Sequence, residues 1–341
     1  MKILLSAWDK NSRWLLALWP FSFLFRLIVA IRKSIFSVSI RPASFSVPVV
    51  VVGNITMGGT GKTPFVISLA DYLVEQGFSP GIVSRGYGGN SASYPLMVGT
   101  DENPTNSGDE PLLIARRTKC PVVVDPDRAS AVKHLISSSD IDIVISDDGL
   151  QHYQMYRDIE ICMVDGDRLF GNSFCFPAGP LREPIERIET VDFIVMNGSA
   201  SNALNSSKPV AKMVMRPKSL VNLLTGEIRP FSGAPFNIGN KLQAVCAIGN
   251  PERFYKMLEE LPYSLARFSF PDHYQFKPED FNNELISKHQ PVVMTEKDAI
   301  KCSDFATNNF WYIDTEIDIS DGFYARVLKR INECKALIAS H

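Results

Sequence analysis

The chain has 341 residues, which is enough for two domains of ordinary size. Its content of 45% hydrophobic and 21% charged residues excludes a chain that is mostly disordered. The net charge of −2 hides a strong asymmetry, because residues 1–46 carry seven Lys and Arg against one acid while the rest of the chain is acidic. A basic arm on an acidic body predicts an anionic partner, either nucleic acid or an anionic membrane surface.

The N-terminal arm contains an apolar run from residue 14 to residue 31. Pro20 and Arg26 interrupt this run, and three of the four tryptophans of the chain lie in the arm, close to Lys and Arg. Aromatic rings beside cationic side chains are typical of the lipid headgroup layer, where the ring is buried and the charge stays in water. We therefore expect residues 1–45 to form a membrane-interface helix. A cleaved signal peptide, a spanning helix and an ordinary core helix are the alternatives.

Strands and helices alternate along the body, which is the pattern of an α/β fold with a doubly wound, mostly parallel sheet. Apolar β-branched runs predict the strands, and apolar residues at helical spacing predict the helices. The predicted strands are 46–53, 81–83, 121–124, 141–146, 159–164, 193–196, 244–248 and 292–294, and the predicted helices are 62–76, 128–136, 251–261 and 323–338. Residues 99–111 are polar and predict a turn-rich loop.

A stretch rich in Gly and Pro near residue 235 predicts a domain boundary. We expect a nucleotide-binding domain over residues 46–235 and a smaller α/β domain over residues 236–341 that closes the active site. The six cysteines are scattered without a C-x-x-C pair, which argues against a disulfide framework or a zinc site. The body is therefore expected to be cytosolic.

The run Gly58-Gly-Thr-Gly-Lys-Thr63 lies between a predicted strand and a predicted helix, as a phosphate-binding P-loop does. In such a loop backbone N–H groups surround the phosphates, the Lys reaches the β and γ phosphates and the next hydroxyl holds magnesium. Thr56 stands where the usual spacing has Gly. The residues expected to bind the nucleotide are Thr56, Met57, Gly58, Gly59, Thr60, Gly61, Lys62, Thr63 and Pro64.

Acidic pairs follow at two places. Asp147 and Asp148 end a predicted apolar strand, which is the position of the magnesium-binding acid in P-loop enzymes. Asp109 and Glu110 precede a Pro in a polar loop, where the residues alone favour a turn over a catalytic pair. His273 is equally ambiguous by itself, since most such histidines are structural.

Seven motifs in a fixed order resemble the tetraacyldisaccharide 4′-kinase (lipid A 4′-kinase) family, over about residues 1–300. They are the run Gly53–Pro64, Ser84-Arg-Gly-Tyr-Gly88, Gly108-Asp-Glu-Pro111, Asp147-Asp-Gly-Leu-Gln-His152, Gly179-Pro-Leu-Arg-Glu-Pro184, Phe270-Pro-Asp-His-Tyr274 and Thr295-Glu-Lys-Asp-Ala299. The one departure in these blocks is Leu150, where Phe is common.

This resemblance implies transfer of the γ-phosphoryl of ATP to the 4′-hydroxyl of a tetraacylated glucosamine disaccharide 1-phosphate, in lipid A and lipopolysaccharide biosynthesis. It implies that Asp109 is the base, with His273 as its partner and Lys62 as a third catalytic group. Magnesium would be held by Thr63, Glu110, Asp147 and Asp148. Substrate or surrounding contacts would come from Arg85, Tyr87, Arg128, Gln151, His152, Arg182 and Glu183.

The resemblance also implies a peripheral or monotopic protein at the cytoplasmic face of the bacterial inner membrane. Its partners would be the lipid substrate and the anionic membrane surface, without nucleic acid and without an obligate protein partner. Two other functions compete. A membrane-associated regulatory P-loop ATPase shares the Gly-Gly-x-Gly-Lys-Thr loop, but those proteins carry an additional lysine where this chain has Met57. A nucleotide-gated binding module without turnover would make Asp109 and His273 structural.

Overall fold

The computed structural model describes residues 4, 7–8, 10, 12–36, 42, 44–198, 204–237, 239, 241–282, 286–320 and 322–340. Lys2, Asp9 and Arg41 of the basic arm lie outside the described residues. Thirteen strands in the described part form one sheet. They are β1 (Val49–Gly53), β2 (Pro80–Ser84), β3 (Leu96–Met97), β4 (Val122–Val124), β5 (Ile143–Asp147), β6 (Ile159–Asp165), β7 (Phe193–Asn197), β8 (Val210–Asn222), β9 (Ile228–Pro230), β10 (Lys241–Cys246), β11 (Ser264–Ser269), β12 (Val292–Thr295) and β13 (Phe310–Ile319).

The strand order is β11-β10-β12-β13-β8-β7-β6-β1-β5-β2-β4-β3, and β9 pairs with β8. All neighbours are parallel except β3 with β4, β8 with β9 and β8 with β13. The α-helices are α1 (Trp19–Ser34), α2 (Lys62–Glu75), α3 (Pro104–Ser107), α4 (Asp109–Thr118), α5 (Arg128–Ser138), α6 (Pro251–Leu258), α7 (Glu296–Ile300) and α8 (Phe323–Ala339). The predicted mostly parallel α/β fold is confirmed.

The central strand β1 shows why the sheet is covered on both faces. Its residues are fully buried, and successive side chains point to opposite faces. Val50 and Val52 pack in the layer that contains α2, α4 and α8. Val49 and Val51 pack in the other layer, against α5 and the segment that follows β5. A run of valines without a polar partner on either face is what a central parallel strand requires.

The sheet continues without a break into the last third of the chain. β8 is 13 residues long, and it pairs antiparallel with β13 from Trp311 opposite Asn222 to Ile319 opposite Met213. Beyond β13 the parallel strands β12, β10 and β11 carry their own two layers of apolar side chains. The domain boundary near residue 235 remains a prediction.

The N-terminal arm forms a 3₁₀ helix, Arg13–Leu18, that runs into α1. Pro20 does not interrupt α1, because it lies in the first turn, where its missing N–H costs no hydrogen bond. In the described part of the chain this helical stretch, residues 13–34, is the one long and apolar enough by composition to cross a membrane. Little of it is buried, which disagrees with an ordinary core helix.

The prediction of a turn-rich loop over residues 99–111 was wrong in two places, because Pro104–Ser107 form one helical turn and residues 109–111 begin α4. Gly108 precedes α4 with φ of 88°, and Asp109 and Glu110 form its first turn. Pro111 fits there because the first turn leaves backbone N–H groups unpaired. Carboxylates at this end also interact favourably with the helix dipole.

The strands β3, β8, β9, β11 and β13 were not predicted.

We predict that Phe323→Ala lowers the free energy of unfolding by about 3–5 kcal/mol, because it leaves a cavity between α8 and the sheet. Phe323 is 1% exposed, with its ring 6.0 Å from that of Phe65 and 5.8 Å from that of Phe193. Urea unfolding measures the change. Leu337→Ala in the same helix is the control, since Leu337 is 61% exposed and its loss should cost no more than about 0.5 kcal/mol. Equal losses in the two variants would contradict the packing argument.

Candidate active site

The turn from β1 into α2 requires glycine at two positions. Gly58 has φ of 103° and Gly61 has φ of 86°, a region that L side chains rarely adopt. A Cβ on Gly61 would lie 2.3 Å from Nδ2 of Asn197, which donates to the carbonyl of Thr60 at 3.1 Å. Thr56 is not among the positive-φ residues and forms a bridge with Leu181, which explains why glycine is not needed there.

Lys62 extends from the first position of α2 to the carboxyl end of the sheet. Its Nζ lies 3.2 Å from Oδ1 of Asn54 and 3.5 Å from Oδ1 of Asp148. Asn54 in turn donates to the carbonyl of Thr56 at 2.8 Å, so one amide fixes both the loop and the lysine. Thr63 follows Lys62 and is buried beneath the loop. This arrangement presents a positive charge and a hydroxyl where a P-loop binds phosphates and magnesium.

Asp147 ends β5, which is hydrogen-bonded to β1, and it is 1% exposed. Neither of its carboxylate oxygens has a hydrogen-bond partner. Burial, together with the charges of Glu110 and Asp148, raises the pKa of Asp147 to about 7. A buried carboxylate next to other carboxylates without a partner is unfavourable unless a cation or a proton compensates it.

Asp148 is in a different situation, although it is the next residue. Both of its oxygens lie 3.0 Å from Nη1 of Arg182, and Lys62 is close by. Burial alone would raise the pKa of Asp148, but the charges of Lys62 and Arg182 lower it to about 2. Asp148 therefore stays ionised and holds these two cations together at the edge of the sheet.

Asp109 and His273 are brought together from distant parts of the chain. Asp109 starts α4 and is 1% exposed, and Nδ1 of His273 lies 3.4 Å from its Oδ2, near but not aligned as a hydrogen bond. The ring of Tyr87 meets the ring of His273 edge-on at 4.7 Å. Burial would raise the pKa of Asp109, but His273 and Lys297 lower it, so the carboxylate is ionised.

Lys297, on α7, was not singled out as a site residue by the sequence. Its Nζ lies 2.7 Å from Oε1 of Glu110, 3.4 Å from Nε2 of His273 and 4.0 Å from Oδ2 of Asp109. Burial would lower the pKa of Lys297, but the carboxylates of Glu110 and Asp109 raise it. Lys301 adds a second buried cation 4.0 Å from Asp109. The sequence signal for Lys297 is its place in the motif at residues 295–299.

Gln151 and Glu183 support the loop from behind. Nε2 of Gln151 donates to the carbonyl of Asn54 at 3.0 Å and to Oε1 of Glu183 at 2.7 Å. Glu183 is 1% exposed and also accepts a short hydrogen bond from the hydroxyl of Tyr153. Glu183 thus orients Gln151 and is too enclosed to meet a substrate directly.

A second cationic group lies at the start of α5. Arg128 is buried, and its Nε lacks a hydrogen-bond partner. Burial lowers the pKa of Arg128, and the charge of the neighbouring Arg85 lowers it further. His152 lies 3.8 Å from Asp127, and burial together with Arg128 lowers its pKa to about 4, so it is neutral at physiological pH. The exposed Arg85 and the unpaired Nε of Arg128 can receive an anionic or hydroxyl-rich group.

Two observations at the loop concern Met57, which was expected to bind the nucleotide, and Arg168, which was not predicted. The backbone N–H of Met57 donates to the carbonyl of Pro180 at 2.8 Å, and its side chain packs on the N-terminal arm, so neither faces a phosphate. Arg168, which was not predicted, donates from Nη2 to the carbonyl of Gly59 at 3.1 Å and to Asp165 at 3.3 Å. No sequence motif considered above included Arg168.

The residues present fit a magnesium ion. Among the described residues no group of three or more His, Cys, Asp or Glu side chains forms a ready-made metal cluster. Mg²⁺ does not need one, because it keeps several waters and uses one or two carboxylates plus the phosphates of the nucleotide. Asp147, with two unpaired oxygens, and the hydroxyl of Thr63 suit that mode. Asp148 and Glu110 are already engaged by Arg182 and Lys297.

Comparison with known proteins identifies the family of the chain. A family model described as tetraacyldisaccharide-1-P 4′-kinase matches residues 14–332. The tetraacyldisaccharide 4′-kinase of Hahella chejuensis is 44% identical over 337 residues, covering 96% of each chain. The enzyme of the same name from Nitrosococcus oceani is 45% identical over 338 residues, covering 97% of this chain and 95% of its own.

A solved structure agrees with the fold. The crystal structure described as the "apo" form of LpxK from Aquifex aeolicus in complex with ATP matches with a TM-score of 0.75 and 28% identity. The match covers 94% of this chain and 99% of that chain. On the family match over residues 14–332 and on relatives above 40% identity, the chain belongs to the tetraacyldisaccharide-1-phosphate 4′-kinase family.

Proposed function

We propose that this protein transfers the γ-phosphoryl of ATP to the 4′-hydroxyl of a tetraacylated glucosamine disaccharide 1-phosphate in lipid A biosynthesis. The observation that carries the proposal is the position of Glu110. Its Oε1 lies 2.7 Å from Nζ of Lys297. Burial would raise the pKa of Glu110, but the charges of Lys297 and Lys62 lower it. Glu110 therefore connects Lys62 of the P-loop with Lys297, which lies beside Asp109 and His273.

The site suits phosphoryl transfer because that reaction needs positioning and charge stabilisation rather than covalent chemistry. The 4′-hydroxyl oxygen forms a bond to the γ-phosphorus as the bond to the bridging oxygen of ADP breaks. Asp109 takes the hydroxyl proton, and His273, whose Nδ1 lies 3.4 Å from Oδ2 of Asp109, is its partner. Lys62 stabilises the charge on the migrating group, with Arg182 close by through Asp148.

The residues proposed for magnesium are Thr63 and Asp147, with Asp148 and Glu110 around them. A magnesium ion held there would supply positive charge against the phosphates of the nucleotide. The unpaired oxygens of Asp147 and its raised pKa support this role, since a cation would remove the repulsion from Glu110 and Asp148. Arg85, Tyr87, Arg128 and His152 border the place proposed for the disaccharide.

The arm gives this reaction access to its substrate at the cytoplasmic face of the inner membrane. Large apolar side chains of α1 are about half exposed, including Phe21 at 60%, Phe23 at 61% and Ile28 at 55%. A lipid with four acyl chains stays in the bilayer, at a cost of about 0.8 kcal/mol per buried CH₂ for leaving it. We propose that α1 lies on the membrane as a monotopic anchor, because one of its faces packs on the body of the protein.

Transfer of labelled γ-phosphate from ATP to a tetraacyldisaccharide 1-phosphate in mixed micelles tests the activity. The wild type should label the lipid, and Lys62→Met should reduce the rate at least 100-fold while the melting temperature stays unchanged. ATP hydrolysis that does not depend on lipid would favour a regulatory ATPase. Nucleotide binding without turnover would favour a binding module.

The roles of Asp109 and His273 predict a non-additive pair of substitutions. Asp109→Asn keeps the size of the side chain but removes the proton acceptor, so kcat should fall roughly 10²–10⁴-fold with ATP affinity little changed. His273→Ala should cost less, and the double variant should be close to Asp109→Asn alone, because both residues serve one proton transfer. Additive losses, or recovery of Asp109→Asn by excess magnesium, would instead assign Asp109 to the metal.

The arm predicts a loss of membrane binding when its exposed apolar face is removed. Phe23, Leu27 and Ile31, each 48–61% exposed, are replaced together by Ala, and binding to vesicles is measured by co-sedimentation. Each side chain is worth up to about 1.5–3 kcal/mol when it is fully buried in an apolar phase. Ile228→Ala is the control, since Ile228 is 70% exposed but lies on β9. Unchanged sedimentation of the triple variant would rule out the anchor.

A further inference from the structure

Ser22 is exceptional within α1, because it is 3% exposed in a helix whose other residues are mostly open to solvent. Its hydroxyl donates to the carbonyl of Cys175 at 2.8 Å and accepts from the backbone N–H of Ala178 at 2.9 Å. Both backbone groups are more than 150 residues away in the chain. One side chain of the arm thus satisfies a donor and an acceptor of the body.

Trp8 makes a second contact with the same part of the body. Its Nε1 donates to the carbonyl of Pro177 at 3.1 Å, and its ring meets the ring of Phe176 edge-on at 6.4 Å. Phe25 of α1 lies on the other side, with its ring 5.9 Å from that of Phe176. The arm therefore contacts residues 174–182, which we call the bridging segment, through both hydrogen bonds and aromatic rings.

The last residues of the bridging segment, 180–182, contact the phosphate-binding loop. The carbonyl of Pro180 accepts from the N–H of Met57 at 2.8 Å, and the N–H of Arg182 donates to the carbonyl of Ile55 at 2.7 Å. Leu181 and Thr56 form an antiparallel bridge between these two bonds. Arg182 then extends to Asp148 at 3.0 Å. The bridging segment folds back on itself, since the N–H of Phe176 donates to the carbonyl of Leu181 at 2.9 Å, and it lies between the arm and the first half of the P-loop.

We propose that Ser22 is a positioning residue for phosphoryl transfer, which fixes the P-loop and Arg182 through the bridging segment. This inference rests on the proposed kinase function. The bridging segment belongs to no helix and to none of the thirteen strands, so its position depends on its own backbone bonds, on Asn172, which donates to the carbonyl of Ala178 at 2.9 Å, and on its contacts with the arm and the P-loop. Without the Ser22 hydroxyl, the N–H of Ala178 loses its partner in a buried place and the segment must shift to regain one. A shift there moves Arg182 directly, and misplacement by about 1 Å can cost a factor of about 100 in rate.

The two tasks of α1 lie on different faces, so substitutions can separate them. The apolar side chains available for lipid are exposed, whereas Ser22 points into the body. A helix that served only for attachment would not need a buried hydroxyl bonded to two backbone groups. Loss of Ser22 should therefore reduce turnover without reducing membrane binding.

The test compares Ser22→Ala with Ser137→Ala, an exposed serine on α5 that bonds only within its own helix. Both full-length variants are assayed for lipid phosphorylation and for binding to anionic vesicles at a temperature where each is folded. We expect kcat of Ser22→Ala to fall roughly 10- to 100-fold, with lipid KM and vesicle binding within about twofold of the wild type. Ser137→Ala should retain wild-type values.

A second comparison separates positioning from general damage. In an Arg182→Ala background, Ser22→Ala should lower kcat by less than about threefold, because the group through which it acts is already gone. Trp8→Phe, which keeps a ring but removes the donor to Pro177, should lower kcat in the same direction and replaces Ser22→Ala if that variant does not fold. Wild-type kcat in Ser22→Ala, or equal losses with and without Arg182, would overturn the inference. An inactive wild type would overturn the proposed function instead.

Discussion

The candidate site depends on one backbone turn, the residues that lead from β1 into α2. Backbone N–H groups can surround a phosphate there only if the chain takes left-handed φ values, at Gly58 and Gly61. The turn also touches its surroundings closely, since any side chain at Gly61 would collide with Asn197 at the end of β7. The ends of β5, next to β1, and of β7, beyond β6, place Asp147 and Asn197 on either side of this turn.

Charge compensation is the second principle of the site. Four carboxylates lie at the edge of the sheet, those of Asp109, Glu110, Asp147 and Asp148. Most of them are paired with a cation from elsewhere in the chain. Lys62 and Arg182 compensate Asp148, while Lys297 compensates Glu110. Asp147 is left without such a partner. This difference in nearby cations explains why the pKa of Asp147 is raised while the pKa of the adjacent Asp148 is lowered.

Local patterns predicted the parts of the molecule that are local in origin. The valines of β1, the glycines of the loop and the acid at the end of β5 each act through neighbours in sequence, and the structure has them as strand, turn and strand end. The start of α4 was missed because Gly108 and Pro111 resemble a turn until the helix dipole and the buried leucines that follow are considered. The contact of Lys297 with Glu110 spans 187 residues, and no local pattern encodes it.

The antiparallel ribbon of β8 and β13 has a mechanical consequence. Its paired positions tie the half of the sheet with the P-loop to the half that carries His273 and Lys297. The register shifts once, between Asp314 opposite Ser219 and Thr315 opposite Pro217, so Lys218 has no paired position on β13. Backbone bonds along such a ribbon resist sliding and separation, whereas two strands twist around each other easily, most of all at a bulge. Within the ribbon itself, torsion about its axis therefore strains fewer backbone bonds than sliding or separation of the two strands. The ribbon thus fixes the distance along the strands between the two groups of site residues, while the angle between them depends on the twist of two strands.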